Sequence, residues 1–275
     1  VSERIVRAIL RILEAVPLPV LAAVCETAML AVWVVDRKHR RIARVNLRIA
    51  FPEMGDEAAS RIIRKCYRQL GTSAAEFVHI PRMDEAYIRE HVRIEGAEHV
   101  WKSMRERKLP TLVMTGHFGN WELQSHAYAR VVEPLAFIVR PLKNEVFDRI
   151  VTERREISGN IVIRKEDSAK AVMRILRRNM FVGILIDQNV DRHKGVLVEL
   201  FGRKTHTTFG IARLALAMRG AIHAGFLFRD PKRKFHHVLR FGPPIAMDCD
   251  APREKEVERV TRRCNEELEK ARLEL

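Results

Sequence analysis

The densest chemistry in the chain lies between residues 111 and 122. An apolar, β-prone run, Thr111–Thr115, leads into Gly116-His117-Phe118-Gly119-Asn120-Trp121-Glu122, and an amphipathic stretch comes next. Two glycines permit a tight strand-to-helix passage, Asn120 suits an N-cap, and His117 is left at the carboxyl end of a strand, where α/β folds meet their ligands. Histidine starts with a pKa near neutrality, so it is the natural base for a poor nucleophile such as a hydroxyl. The turn can bring Glu122 back towards His117, making an H-x4-E pair of base and orienting carboxylate. The spacing leaves two alternatives open: a merely hydrogen-bonded His117, or His126, one helical turn after Glu122, as that carboxylate's partner. The sequence has no G-x-S-x-G elbow, which leaves a serine acyl-enzyme unsupported and favours a histidine acting directly on a substrate hydroxyl.

The elements that must hold this passage alternate in type. Val92–Glu95, Thr111–Thr115, Leu135–Val139, Ile161–Ile163, Val182–Ile186, Ala221–Phe228 and Phe235–Phe241 read as strands. Glu98–Arg107, Trp121–Val131, Asn144–Ile157, Ser168–Arg178 and Thr208–Met218 read as helices, with a last helix at Glu254–Ala271. Alternation of this kind predicts an α/β fold, a mainly parallel central sheet flanked by helices, with an antiparallel edge from the 221–241 pair. A helical period over 56–80 is interrupted at Gly71. The expected organisation is a helical segment over 1–50 followed by one α/β domain over 51–275.

Composition bounds the partners. Fifty Lys and Arg against 35 Asp and Glu leave a formal charge of +15 in 275 residues, so the partner carries negative charge. With 7% aromatic residues and no interleaving of Lys/Arg with Phe/Tyr, a nucleic-acid platform is disfavoured. A membrane surface fits better. Ile5, Ile9, Ile12 and Leu13 recur at helical spacing, and Val20–Val35 holds one charge, Glu26. Arg37, Arg41, Arg44 and Arg48 then form one helical stripe opposite Ile42, Val45 and Ile49, suited to phosphate headgroups on a cytoplasmic flank. Whether 20–35 spans a bilayer or lies on it is left open by its length. Cysteines at 25, 66, 249 and 264 are too sparse for a disulfide framework and read as reduced thiols; no C-x-x-C or H-E-x-x-H points to a metal.

Five blocks in order resemble the lipid A biosynthesis acyltransferases, the late lauroyl/myristoyl group within the bacterial lysophospholipid-type acyltransferases. They are Asn46-Leu47-Arg48-Ile49-Ala50-Phe51-Pro52-Glu53; Thr115-Gly116-His117-Phe118-Gly119-Asn120-Trp121-Glu122; Arg140-Pro141-Leu142-Lys143-Asn144; Gly183-Ile184-Leu185-Ile186-Asp187-Gln188-Asn189; and Phe201-Gly202-Arg203-Lys204-Thr205 leading to Thr208-Phe209-Gly210. The resemblance implies a glycerolphosphate-acyltransferase-like fold. It implies transfer of a fatty acyl group from a thioester, on acyl carrier protein or CoA, to a hydroxyl of a phosphorylated glycolipid at the cytoplasmic face of the bacterial inner membrane. No cofactor is expected beyond the thioester co-substrate. Carried over, His117 is the general base and Glu122 its charge-stabilising partner; Arg140, Asn120, Asp187, Gln188 and Arg203 bind substrate. Asp187 reads equally as a structural carboxylate closing a loop.

Two departures stand out. Family members commonly continue past the last helix into a segment rich in Trp, His and Arg, whereas this chain ends at Leu275, so a truncated or shorter relative is expected. His206 stands where small or apolar residues are expected, which suggests an altered pocket. Other readings are an acyltransferase for a phosphoinositol mannoside, an ornithine lipid or a lysophospholipid, and a non-enzymatic basic membrane or nucleic-acid binding protein. The phospholipid variant is weakened because Phe51-Pro52-Glu53 lies upstream of the histidine and is followed by Met54.

Overall fold

The computed structural model describes residues 2–117, 119–164 and 168–273, so Phe118 of the 116–122 passage lies outside the described residues. Two compact units are present: Val1–Met83 with Phe201–Arg203, and Asp84–Leu200 with Lys204–Leu275.

Among its described residues the first unit has the α-helices α1 (Glu3–Ala15), α2 (Leu18–Val35), α3 (Arg37–Ala50) and α4 (Asp56–His79). The boundary expected at 50–51 falls inside this unit, between α3 and α4. Pro19 sits in the first turn of α2, where its missing N–H costs nothing. Asp36 caps α3 by accepting from the His39 N–H at 3.1 Å. The helix over α4 is not interrupted at Gly71; glycine serves close packing there, since a Cβ would stand 2.6 Å from the Cys25 carbonyl oxygen of α2. Beside this crossing the Thr72 hydroxyl donates to Glu26 at 2.9 Å, and the Arg68 guanidinium lies 3.7 Å from the same carboxylate. The one charge of α2 is therefore turned towards α4, while Val20, Val24 and Val34 are 53%, 61% and 60% exposed.

The second unit is built on a seven-stranded sheet. In chain order its strands are β1 (Val92–Glu95), β2 (Thr111–Thr115), β3 (Ala136–Val139), β4 (Ile161–Arg164), β5 (Val182–Leu185), β8 (Ala221–Arg229) and β9 (His237–Pro244); β6 (Gly195–Leu200) and β7 (Arg203–Thr208) form a separate pair. The spatial order is β1-β9-β8-β2-β5-β3-β4. Its helices are α5 (Glu85–His91), α6 (Ala97–Trp101), α7 (Trp121–Val131), α8 (Glu145–Glu156), α9 (Ser168–Leu176), α10 (Gly210–Met218) and α11 (Arg253–Leu273).

The antiparallel partner is not at the edge as the sequence suggests. β9 runs antiparallel to β8, and its other rim takes β1 in parallel, from Val92↔His237 to Glu95↔Arg240. A pairing across so much chain leaves no local trace. Elsewhere the ladder is parallel, and its central strand β2, Thr111–Thr115, is buried throughout. On one face Leu112, Met114 and Ile222 pack with Ile211 of α10 and Val260 and Leu268 of α11 in a continuous core.

The parallel ladder opens between β3 and β5. β2 pairs with β5 over four residues, Leu112↔Val182 to Thr115↔Leu185, and β3 pairs with β4 over four. β3 and β5 pair only at Ala136↔Val182 and Phe137↔Gly183. Beyond those two positions the strands part, and their carboxyl ends flank a cleft.

His223 of β8 is fully buried. Its Nδ1 donates to the Gly242 carbonyl at 3.0 Å and its Nε2 accepts from the Ser103 hydroxyl at 2.9 Å, which fixes the neutral ring. Burial lowers its pKa, assisted by nearby His99 and opposed by the Gly242 carbonyl. The unfolded chain then binds the proton at a higher pH than the folded one. This stability contribution is complete above the ordinary histidine pKa of about 6.5 and is lost as pH falls towards the lower folded value. Calorimetry should find the melting temperature dropping between neutral and mildly acid pH, with a flatter profile for His223→Gln.

Candidate active site

His117 is delivered by a short, tightly built passage. β2 ends at Thr115, whose hydroxyl donates to the Gln124 side-chain carbonyl at 3.2 Å, while the Gln124 amide donates to the Gly225 carbonyl at 2.9 Å. The chain then turns at Gly119, which has φ +63; a Cβ there would lie 1.9 Å from the Leu227 carbonyl oxygen, so glycine is required for conformation and for space. Asn120 accepts from the Leu123 N–H at 3.1 Å and opens α7. Fully buried and engaged as the cap, Asn120 positions the passage and does not line the cavity.

The carboxylate that meets His117 is Asp187. Its Oδ1 lies 2.8 Å from His117 Nδ1, and its Oδ2 accepts the His117 backbone N–H at 2.8 Å. Two features hold Asp187 in place. The preceding residue extends the ladder through Ile186 N–H to the Thr115 carbonyl at 3.0 Å. Two residues on, Asn189 accepts from the Thr205 hydroxyl and the His206 N–H of β7 at 2.9 and 3.0 Å. Burial alone would push the Asp187 carboxyl up, but the bonds from the His117 ring and backbone outweigh it and hold the carboxyl below its ordinary range. An ionised acceptor on Nδ1 places the ring proton there and leaves Nε2 with its lone pair, the tautomer a general base needs.

Glu122 therefore stands elsewhere than the sequence reading places it. Arg155 of α8 grips it with two bonds, Nε to Oε2 at 2.9 Å and Nη2 to Oε1 at 2.6 Å, a fork that an intervening histidine would break. His126 is buried one turn later on α7. Glu122, Arg155 and His117 all line one cavity of about 730 Å³, within the usual range of roughly 300–1,000 Å³ for small-molecule sites.

The cavity opens at the strand ends and is apolar within. Its polar rim includes Arg140, exposed just past β3, Gln188, and Arg213 of α10, whose guanidinium lies 3.7 Å over the Phe209 ring. Arg203 does not line it; it starts β7 after a two-residue turn in which Phe201 and Gly202 have φ of 51° and 67°. Arg155 and Arg213 escape the sequence reading. Arg155 is one of three arginines in α8 and meets Glu122 across 33 residues, while Arg213 is the single arginine of the apolar α10, where nothing local ties it to the site. The arrangement presents a histidine hydrogen-bonded to a carboxylate, an acid paired with an arginine, further cations at a rim, and an apolar interior below.

Known proteins similar to the chain are acyltransferases of lipid A biosynthesis. The chain is 25% identical over 239 residues, 86% of its length and 75% of the relative's, to a lipid A biosynthesis lauroyltransferase of Escherichia coli (strain K12). It is 23% identical over 235 residues to the myristoyltransferase of the same strain, covering 85% and 70% of the two chains. It is 22% identical over 208 residues to the palmitoleoyltransferase, covering 71% and 67%. The family model for bacterial lipid A biosynthesis acyltransferase matches residues 3–271, nearly the whole chain, and on that match the chain belongs to this acyltransferase family.

Proposed function

We propose that the chain moves a fatty acyl group from a thioester, on acyl carrier protein or CoA, to a hydroxyl of a phosphorylated glycolipid such as a lipid A precursor. His117 is the base, and the reading rests chiefly on its hydrogen bond to Asp187 at the mouth of an apolar cavity. The acceptor hydroxyl gives its proton to His117 Nε2 as its oxygen attacks the thioester carbonyl. The C–S bond then breaks, and the thiolate, whose parent thiol has a pKa of about 8.5, leaves without a strong acid and recovers the proton from the imidazolium. Asp187 stabilises that imidazolium. Arg140 meets the carbonyl oxygen or a phosphate, and the Glu122–Arg155 pair fixes the wall between α7 and α8. Mass spectrometry of lipid extract incubated with a panel of acyl thioesters tests the reading: acceptor-dependent loss of thioester with gain of one acyl group supports it, and no transfer from any donor overturns it.

Membrane attachment belongs to the same proposal. α2 is long and apolar enough to cross a bilayer, and α3 continues from it with the basic stripe. The stripe is uneven: Arg48 pairs with Asp56 at 2.7 Å and Arg44 bonds the Ser60 hydroxyl at 3.2 Å, while Arg37 and Arg41 meet no acid among the described residues. Each cation near an anionic surface is worth about 1 kcal/mol. Replacing all four arginines with Gln should weaken sedimentation with anionic vesicles, and Arg37→Gln with Arg41→Gln should account for most of the loss. Activity should fall on vesicle-embedded acceptor and stay near normal in detergent micelles. Unchanged vesicle binding would mean that the stripe is a solvated face.

A further inference from the structure

The parting of β3 from β5 makes the cavity forked. Gly183 stands in register with Val113 and Phe137, so all three share one face of the sheet. α7 covers that face, with Tyr128 edge-on to Phe181 at 4.7 Å and to Phe241 at 5.3 Å. The other face is lined by Ile138, Ile184 and Ile211 on the α10 side. Residues of both faces line the same cavity, and Gly183, Ile184 and Leu185 are only partly buried although β5 has a neighbour on each side.

The charges at the two mouths differ. On the α7 side Glu122 and Arg155 neutralise each other, whereas on the α10 side Arg213 faces no acid among the described residues. A neutral thioester chain suits the first arm, and a chain carried by an anionic head group suits the second.

We propose that the α7-side arm is the slot for the transferred acyl chain, and that Gly183, through its missing side chain, sets the usable depth of that slot. The proposal rests on the acyl-transfer reading of the site. Gly183 lies four residues before Asp187, on the order of 13 Å down the strand at about 3.3 Å per residue. At that level a chain descending from His117 passes between Val113 and Phe137. Deeper still, Tyr128, Phe181 and Phe241 close the arm.

The test is acyl-length selectivity, not rate. A Cβ on Gly183 would stand 3.7 Å from Phe137 Cβ and 3.8 Å from Leu135 Cδ1, ordinary contacts, and a branched side chain suits a strand, so Gly183→Ala and Gly183→Val are expected to fold. With the full chain and a ladder of saturated acyl thioesters, each added methyl should cut kcat/KM for the longest accepted donors roughly tenfold and spare the short ones. Phe181→Leu, which opens the deep end, should move the optimum to longer chains. Opposite shifts in the two variants carry the proposal. A uniform loss at every length, or a profile unmoved by both changes, overturns it while leaving acyl transfer itself standing; absence of transfer in the parent chain instead overturns the acyl-transfer reading.

Discussion

Acyl transfer is expected to fall roughly 10²–10⁴-fold in His117→Ala, the loss that general-base assistance alone supplies. The protein should stay folded. The His117 side chain is 38% exposed, and Asp187 keeps the backbone N–H of residue 117 as a donor when the ring is gone. What remains is the cost of one lost hydrogen bond to a charged group, about 1.5–3 kcal/mol. Single-turnover kinetics beside a melting curve separates the two effects. Turnover within threefold of the parent would remove His117 from the chemistry.

The second large effect concerns the carboxylate. Asp187→Asn should approach the loss seen for His117→Ala, because an amide can donate to Nδ1 and fix the ring with its proton on Nε2; the same change in a Ser-His-Asp arrangement costs about 10⁴-fold. Glu122→Gln should do less, and through KM, since it weakens the grip of Arg155 and leaves the His117–Asp187 bond intact. His126→Ala should alter stability more than turnover. A kcat loss in Glu122→Gln matching that in Asp187→Asn would return the dyad to Glu122. The lowered carboxyl of Asp187 adds a further signature. Its stabilising contribution is present above the ordinary aspartate pKa of about 3.9 and is lost as pH falls through the lower folded value, so Asp187→Asn should blunt the acid end of the stability profile.

The local half of this site is legible in the sequence. Thr111–Thr115 and Trp121–Val131 appear as expected, because an apolar run and a helical period are written within each segment. Asn120 is legible as a cap for the same reason. Which acid reaches His117 is not legible, because Asp187 is 70 residues away and Glu122 is nearer along the chain. The resemblance makes Glu122 the partner of His117 and gives Asp187 a substrate-binding or structural role, whereas the hydrogen bond of the ring goes to Asp187. β6 and β7 escape notice because Arg203–Thr208 is polar and a two-residue turn through Phe201 looks apolar, and α5 has seven residues, too few to display a period. The helix over 56–79 looks interrupted because a glycine inside a helical period suggests a break, whereas the smallness of Gly71 serves a neighbour.

The compensation of Glu26 by Thr72 and Arg68 has a thermodynamic consequence. With its one charged group, Glu26, turned inward, the outer side of α2 offers no charge to screen. α3, next to it, carries the arginine stripe, with Ile42 and Val45 exposed on its other side. Any surface that takes up this unit therefore meets two contributions with different signatures. The part due to α2 is insensitive to salt and carries a negative heat-capacity change. The part due to the arginines of α3 fades as the Debye length shrinks from about 10 Å at 0.1 M to 3 Å at 1 M salt. The residual affinity at high ionic strength then reads how much apolar surface of α2, and of the Ile42 and Val45 side of α3, has left water.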